Sequence, residues 1–198
     1  GYDDGYNELW GALRDKITIK SSPSIPANYF VESLGGGMVS VNFSNDENAI
    51  DYEVVEIISD STQGRIVGKF LKSPILIQGL KDNTPYFYKV RASNQFGFSE
   101  FTELLGSTPS PANSKVLIVN GFDRVTGTTN TFDFILEHGN AIYINGYSFD
   151  GASNEAIINE KIKLNNYEIV DWILGEEGAA TSAFDEKEKA LVQEYILR

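Results

Sequence analysis

KVLIVNGFDR, residues Lys115 to Arg124, is the stretch whose reading decides the fold. Val116, Leu117, Ile118 and Val119 run on without polar alternation. Such a run marks a strand buried on both faces, as the first strand of a parallel sheet is. Open parallel sheets bind ligands in the crevice beyond the carboxyl ends of their strands. Asn120, Gly121, Asp123 and Arg124 follow the run directly and are therefore candidate site residues.

Downstream, a loop rich in threonine and glycine spans Val125 to Thr131, and Phe132 to His138 reads as a helix with Gly139-Asn140 as its stop signal. Tyr143 to Gly151 reads as irregular, with Asp150-Gly151 a turn, and Ser153 as the N-cap of a helix through Lys161. A second strand, Tyr167 to Leu174, is expected to lie parallel to the first through a right-handed crossover. It runs into Gly175-Glu176-Glu177-Gly178, which adds Glu176 and Glu177 to the candidate site. The last helix is expected to start after Thr181 or Ser182, with Ser182 and Asp185 in capping-box spacing.

Carboxylates at two neighbouring strand ends suit acid and base roles, or a hard cation such as calcium. The alternative is an Asp123–Arg124 ion pair and acidic residues favoured near the start of the last helix. His138 reads as a charge partner for the C-terminal end of its helix. No Gly-x-Ser-x-Gly or Gly-x-Cys elbow occurs, so the sequence holds no complete catalytic set, and neither a metal site nor a cofactor is assigned. Two parallel strands make about half of a doubly wound sheet. The rest of that sheet is expected from the same or another chain, since an open central strand exposes unpaired backbone.

Upstream, Thr108-Pro109-Ser110-Pro111-Ala112-Asn113-Ser114 reads as an extended, semi-rigid linker. Before it the pattern changes to short alternating segments bounded by turn residues, the signal of an antiparallel sandwich. Strands are expected near Tyr29 to Ser33, Met38 to Phe43, Tyr52 to Ile58, Arg65 to Phe70, Pro74 to Ile77, Phe87 to Ala92 and Phe101 to Ser107. Gly35-Gly36-Gly37 reads as a hairpin turn. Asn42-Phe43-Ser44 is a glycosylation sequon on a strand, and Asn45-Asp46-Glu47-Asn48 a turn without calcium-loop spacing. Leu9, Trp10, Leu13 and Ile17 fall near helical spacing. The expected organisation is thus a helical extension over 1–20, a sandwich over 21–108, a linker over 109–114 and half of an α/β domain over 115–198.

The formal net charge of -12 disfavours nucleic acid and anionic membranes as partners, since both require clustered Lys and Arg. The absence of cysteine removes disulfides, thiolate nucleophiles and thiolate zinc sites, and a single histidine removes His-rich metal cages. No apolar run approaches the roughly 20 residues that span a bilayer.

Two resemblances carry the functional reading. Leu80 to Tyr86, followed by Tyr88 to Ser99, resembles the end of a fibronectin type III module: Leu80 before a turn and Tyr86 opening the next strand match its tyrosine corner. Phe43 stands where such modules usually carry tryptophan. VNGFDR, the segment ending His138-Gly139, Ser148 to Ala156, and Tyr167 to Glu177 together resemble a bacterial α/β domain. That domain is described as xanthan lyase-like or N-acetylmuramoyl-L-alanine amidase-associated, with a core similar to class I glutamine amidotransferases and flavodoxin-like folds. The resemblance implies a secreted or cell-surface protein of Bacteroidetes or relatives, with polysaccharide or peptidoglycan as partner and the sandwich as spacer. A non-catalytic scaffold binding glycan or protein is the alternative.

Overall fold

The structure, a computed structural model, describes residues 21–58, 64–122, 130–131, 133–175 and 183–198. The described residues form eleven strands in chain order: β1 Phe30–Gly35, β2 Met38–Asn42, β3 Asp51–Ile57, β4 Gly64–Phe70, β5 Ile75–Ile77, β6 Tyr86–Asn94, β7 Gly97–Phe98, β8 Leu105–Ser107, β9 Val116–Asn120, β10 Phe149–Ser153 and β11 Ile169–Ile173. The described helices are α1 Phe134–Ile144, α2 Asn154–Ile158 and α3 Glu186–Leu197.

The first eight strands form a sandwich of fibronectin type III order, with β1-β2-β5 facing β4-β3-β6-β7 and β8 alongside β6. Alternation builds its core: Tyr52 and Val54 of β3 and Tyr88, Val90 and Ala92 of β6 turn inward against Val31, Val39 and Val41. Phe43 takes the expected aromatic slot, its ring 4.6 Å from that of Tyr52. The β1–β2 hairpin turns on Gly35, Gly36 and Gly37, all at positive φ. The tyrosine corner is present as well: the Lys81 backbone N–H donates to the Tyr86 hydroxyl at 3.0 Å, and Leu80 packs on the core. Tyr86→Phe is expected to cost about 1 kcal/mol. Calorimetry should show this as a melting point lower by about 2–4 °C.

The last sandwich segment departs from expectation. Only Leu105–Ser107 is strand; Ser99 and Thr102 are held beside β6 by backbone and side chain together, their N–H groups donating to Ala92 O and Val90 O while the Ser99 hydroxyl accepts from Ala92 N–H and Thr102 Oγ1 from Val90 N–H. On the outer face the Arg91 guanidinium lies between the rings of Phe98 and Phe101, at 3.9 and 4.7 Å.

The second half contributes three parallel strands rather than two. β9 is central, paired in parallel with β10 on one side and β11 on the other. Tyr143 to Gly151 is expected to be irregular, yet Phe149–Ser153 is a fully buried strand. Helix α1 packs on one face of these strands through Ile135, while α2 and α3 cover the other, where Leu117, Val119 and Ala152 meet Ile157 and Leu191. Gly139, expected to stop α1, lies inside it. A Cβ there would come within 2.6 Å of the Phe149 ring, so the glycine serves close packing instead of termination. The cap of α3 also differs: Asp185 and Glu188 form the reciprocal capping box, and Ser182 lies outside the described residues. Ser153 caps α2 as expected, accepting from Ala156 N–H.

The two halves share one sheet, in the order β11-β9-β10-β1-β2-β5. β1, the outer strand of its sandwich sheet, pairs antiparallel with β10 through Phe30↔Ala152 and Val31↔Gly151. One core likewise runs from Val90 in the sandwich to Ile118 in β9, with the Phe87 and Phe149 rings 6.0 Å apart across the join. The Pro-rich segment is tied down on the sandwich, Asn83 N–H donating to Pro109 O at 2.7 Å and Ser110 N–H to Ser33 Oγ at 3.0 Å.

Candidate functional site

The carboxyl ends of β9, β10 and β11 lie at one edge of the parallel layer, at Asn120, Ser153 and Ile173. The chain leaves β9 by α1 on one face and leaves β10 by α2 on the other, which makes β9 a topological switch point and its end a natural crevice. Gly121 continues the join, its N–H donating to Ile173 O at 2.9 Å. A Cβ on Gly121 would overlap the Trp172 indole nitrogen, so the glycine leaves room for that ring.

Asn120 is buried and its amide donates to Glu103 Oε2, a carboxylate from the sandwich. Glu103 in turn lines a pocket of about 250 Å³ with Asn28, Tyr29, Thr102, Ser153 and Glu155. The pocket therefore has one wall from the sandwich and one from the β10–α2 turn. The Tyr29 phenol is pushed above its usual value by burial, and further by the Glu103 carboxylate, so it stays protonated and donates to Tyr88 O at 2.7 Å. Behind the turn, Asn154 Nδ2 donates to the buried carboxylate of Glu188 at 3.2 Å.

Of the six candidate residues read from the sequence, Asn120 and Gly121 stand at the end of β9, and Asp123, Arg124, Glu176 and Glu177 lie outside the described residues. Glu103, Ser153 and Glu155 were not among them. Only Ser153 had a local signal, as a helix cap; Glu103 reaches Asn120 across 17 residues, which no short motif records.

Two further residues differ from their sequence reading. His138 lies within α1, and its Nδ1 faces Asp171 Oδ2 of β11 at 2.7 Å, so its partner is a neighbouring carboxylate and not a helix end. Asp150 is a buried strand residue rather than a turn. Its Oδ1 accepts from Ser33 N–H at 2.8 Å, Ser107 Oγ at 2.9 Å and Ser114 Oγ at 3.0 Å, and its Oδ2 from Tyr167 OH at 2.9 Å. No group of three or more metal-ligating side chains occurs among the described residues, and no described helix is long and apolar enough to cross a membrane.

The chain is similar to solved fibronectin type III structures over somewhat less than half of its length. The crystal structure of FN3tt is 24% identical over 46% of this chain and 99% of that one, with a TM-score of 0.43. The fibronectin type III domain of human fibronectin type III domain containing protein 3 is 25% identical over 48% of this chain and 94% of that one, at 0.40. The twitchin kinase region from C. elegans is 17% identical over 44% of this chain and 17% of that one, at 0.39. No family model matches, and a search of curated proteins gives no match. The description of the sandwich as fibronectin type III-like in fold stands on strand order and on the Tyr86 corner.

Proposed function

We propose that this chain forms the glycan-holding part of an exported bacterial cell-surface protein that processes cell wall or polysaccharide, of xanthan lyase-like or amidase type. In this reading the α/β half is flavodoxin- and amidotransferase-like, and a further strand from the same or another chain pairs on β11. The supporting observation is the Glu103–Asn120 bond, which carries a sandwich carboxylate to the end of β9 beside Glu155. Carboxylates held in a crevice accept hydrogen bonds from sugar hydroxyls, and a pair of them is the apparatus of acid–base catalysis. The sandwich then acts as a fixed wall of the site as well as a spacer.

The test is binding to purified peptidoglycan fragments and to xanthan oligosaccharides by isothermal titration calorimetry. Glu155 is exposed, so Glu155→Gln is expected to leave the fold intact and weaken binding at least about tenfold, since a hydrogen bond to a charged group contributes about 1.5–3 kcal/mol. Saturable binding that ignores this change would remove the crevice from the reading. A scaffold without chemistry is the second reading, favoured by the absence of a nucleophile elbow; it is separated by product release from peptidoglycan under conditions where binding is saturated.

A further inference from the structure

A second pocket adjoins the crevice, and its lining has a different chemistry. It measures about 350 Å³ and lies where the sandwich strands β1 and β2 meet the turn after α2, lined by Asn28, Phe30, Asn42, Ser44, Asn45 and Lys161 among others. That volume falls in the range of small-molecule sites, about 300–1,000 Å³. Asn28 belongs to both pockets and forms the partition between them.

The partition is held firmly. Asn28 sits at φ +53°, a left-handed conformation that asparagine tolerates better than most residues. Its Nδ2 donates to Ser44 Oγ and its Oδ1 accepts from Asn159 Nδ2, both at 2.7 Å. Asn45 is fixed likewise, accepting from Ser73 N–H at 2.8 Å. An amide has two N–H donors and two acceptor lone pairs. Asn45 Nδ2 also donates to Ser73 O at 3.4 Å, so Asn28 and Asn45 each keep one N–H and one acceptor lone pair, and both line the pocket with the half-buried Phe30. Amides and an aromatic ring lining one pocket match a sugar, whose hydroxyls both donate and accept and whose ring carbons are apolar.

Lys161 adds charge. It is exposed, and its ammonium has no carboxylate partner among the described residues, although the chain carries a net charge of -12. An unpaired ammonium at the rim of an amide-lined pocket selects an anion.

We infer that this pocket is a subsite for a carboxylated sugar residue, with Lys161 taking the carboxylate, Asn28 and Asn45 the hydroxyls, and Phe30 the ring face. The inference rests on the reading of the protein as glycan-directed: the acidic sugar occupies this pocket while its neighbour in the chain passes Asn28 into the carboxylate-lined crevice. The two pockets thus divide one oligosaccharide by charge.

Calorimetric titration with a hyaluronan tetrasaccharide, which alternates glucuronic acid and N-acetylglucosamine, and with chitotetraose, which lacks the acid, tests this. The hyaluronan fragment is expected to bind at least tenfold more tightly, with affinity falling as salt rises. Lys161→Gln should abolish that preference and leave chitotetraose binding unchanged. Equal binding of both sugars, or a preference that survives Lys161→Gln, overturns the subsite. Glu155→Gln separates the two readings. A loss with Glu155→Gln but none with Lys161→Gln leaves the crevice and removes the subsite, and the reverse pattern keeps the subsite and removes the crevice. No binding of either sugar at millimolar concentration removes both.

Discussion

Asp150→Ala is expected to lower the unfolding free energy by on the order of 4 kcal/mol, because a buried donor left without an acceptor costs about 1–3 kcal/mol and four donors converge on this carboxylate. The loss is less than a full sum, since three of the donors are hydroxyls that rotate to other acceptors. Those donors come from β1, β8, the segment before β9 and the segment before β11, so the substitution loosens the sandwich and the parallel layer together. Denaturant unfolding of the variant should show one transition moved to lower concentration. Two separated transitions would mean that the halves unfold independently and that Asp150 does not couple them.

Asp150→Asn should behave differently. Burial raises the Asp150 carboxyl above its ordinary value, against the lowering effect of the Ser33, Ser107, Tyr167 and Ser114 hydrogen bonds. The Glu32 carboxyl is also raised, by burial first and by Asp150 second, so the two acids oppose each other's ionisation. A carboxyl whose folded value lies above its unfolded value binds its proton more tightly when folded. Its stabilising contribution is therefore complete below the unfolded value, near 3.9, and declines as pH rises through the folded value. Asparagine cannot ionise, so Asp150→Asn is expected to flatten that slope while keeping most of the fold. A variant with the same pH slope as the parent would assign the dependence to other groups.

Gly151→Val is expected to cost about 3 kcal/mol by overpacking. A Cβ at Gly151 would lie 2.7 Å from Gly106 O and 3.1 Å from Gly106 N, both backbone atoms that no side-chain rotation moves. Valine there pushes β10 from β8, and β10 is the strand that joins the sandwich. Reduced sugar affinity should accompany the lower melting temperature, since Ser153 and the α2 turn move with β10. A valine variant as stable as the parent would show that the two backbones separate at no cost.

The sandwich was legible because its signals are local. Alternating residues place Tyr52, Val54, Tyr88 and Val90 inward, and the Leu80–Tyr86 corner closes within a few residues. The run Val116 to Val119 was legible for the same reason. β10 was not, because its sequence answers to distant neighbours. Gly151 is small to admit the Gly106 backbone, and Asp150 is polar to receive four donors, so Phe-Asp-Gly-Ala-Ser imitates a turn. Gly139 misled in the same way, its smallness answering to Phe149 and not to a helix end. The site divided along that line. Asn120 and Gly121 follow from the strand they terminate, whereas Glu103 acquires its role only when the sandwich folds against the end of β9.

The sharing of β1 between β2 and β10 has a mechanical reading. A module on a leash transmits only distance, and whatever it carries turns freely. A module spliced into its neighbour's sheet is a bracket: it transmits angle, so a pull or twist on the sandwich reaches the crevice as a change of aim. Tethering and orientation are then a single property of the molecule, and inserting flexible residues after Ser107 would not separate them unless the β1–β10 pairing also broke.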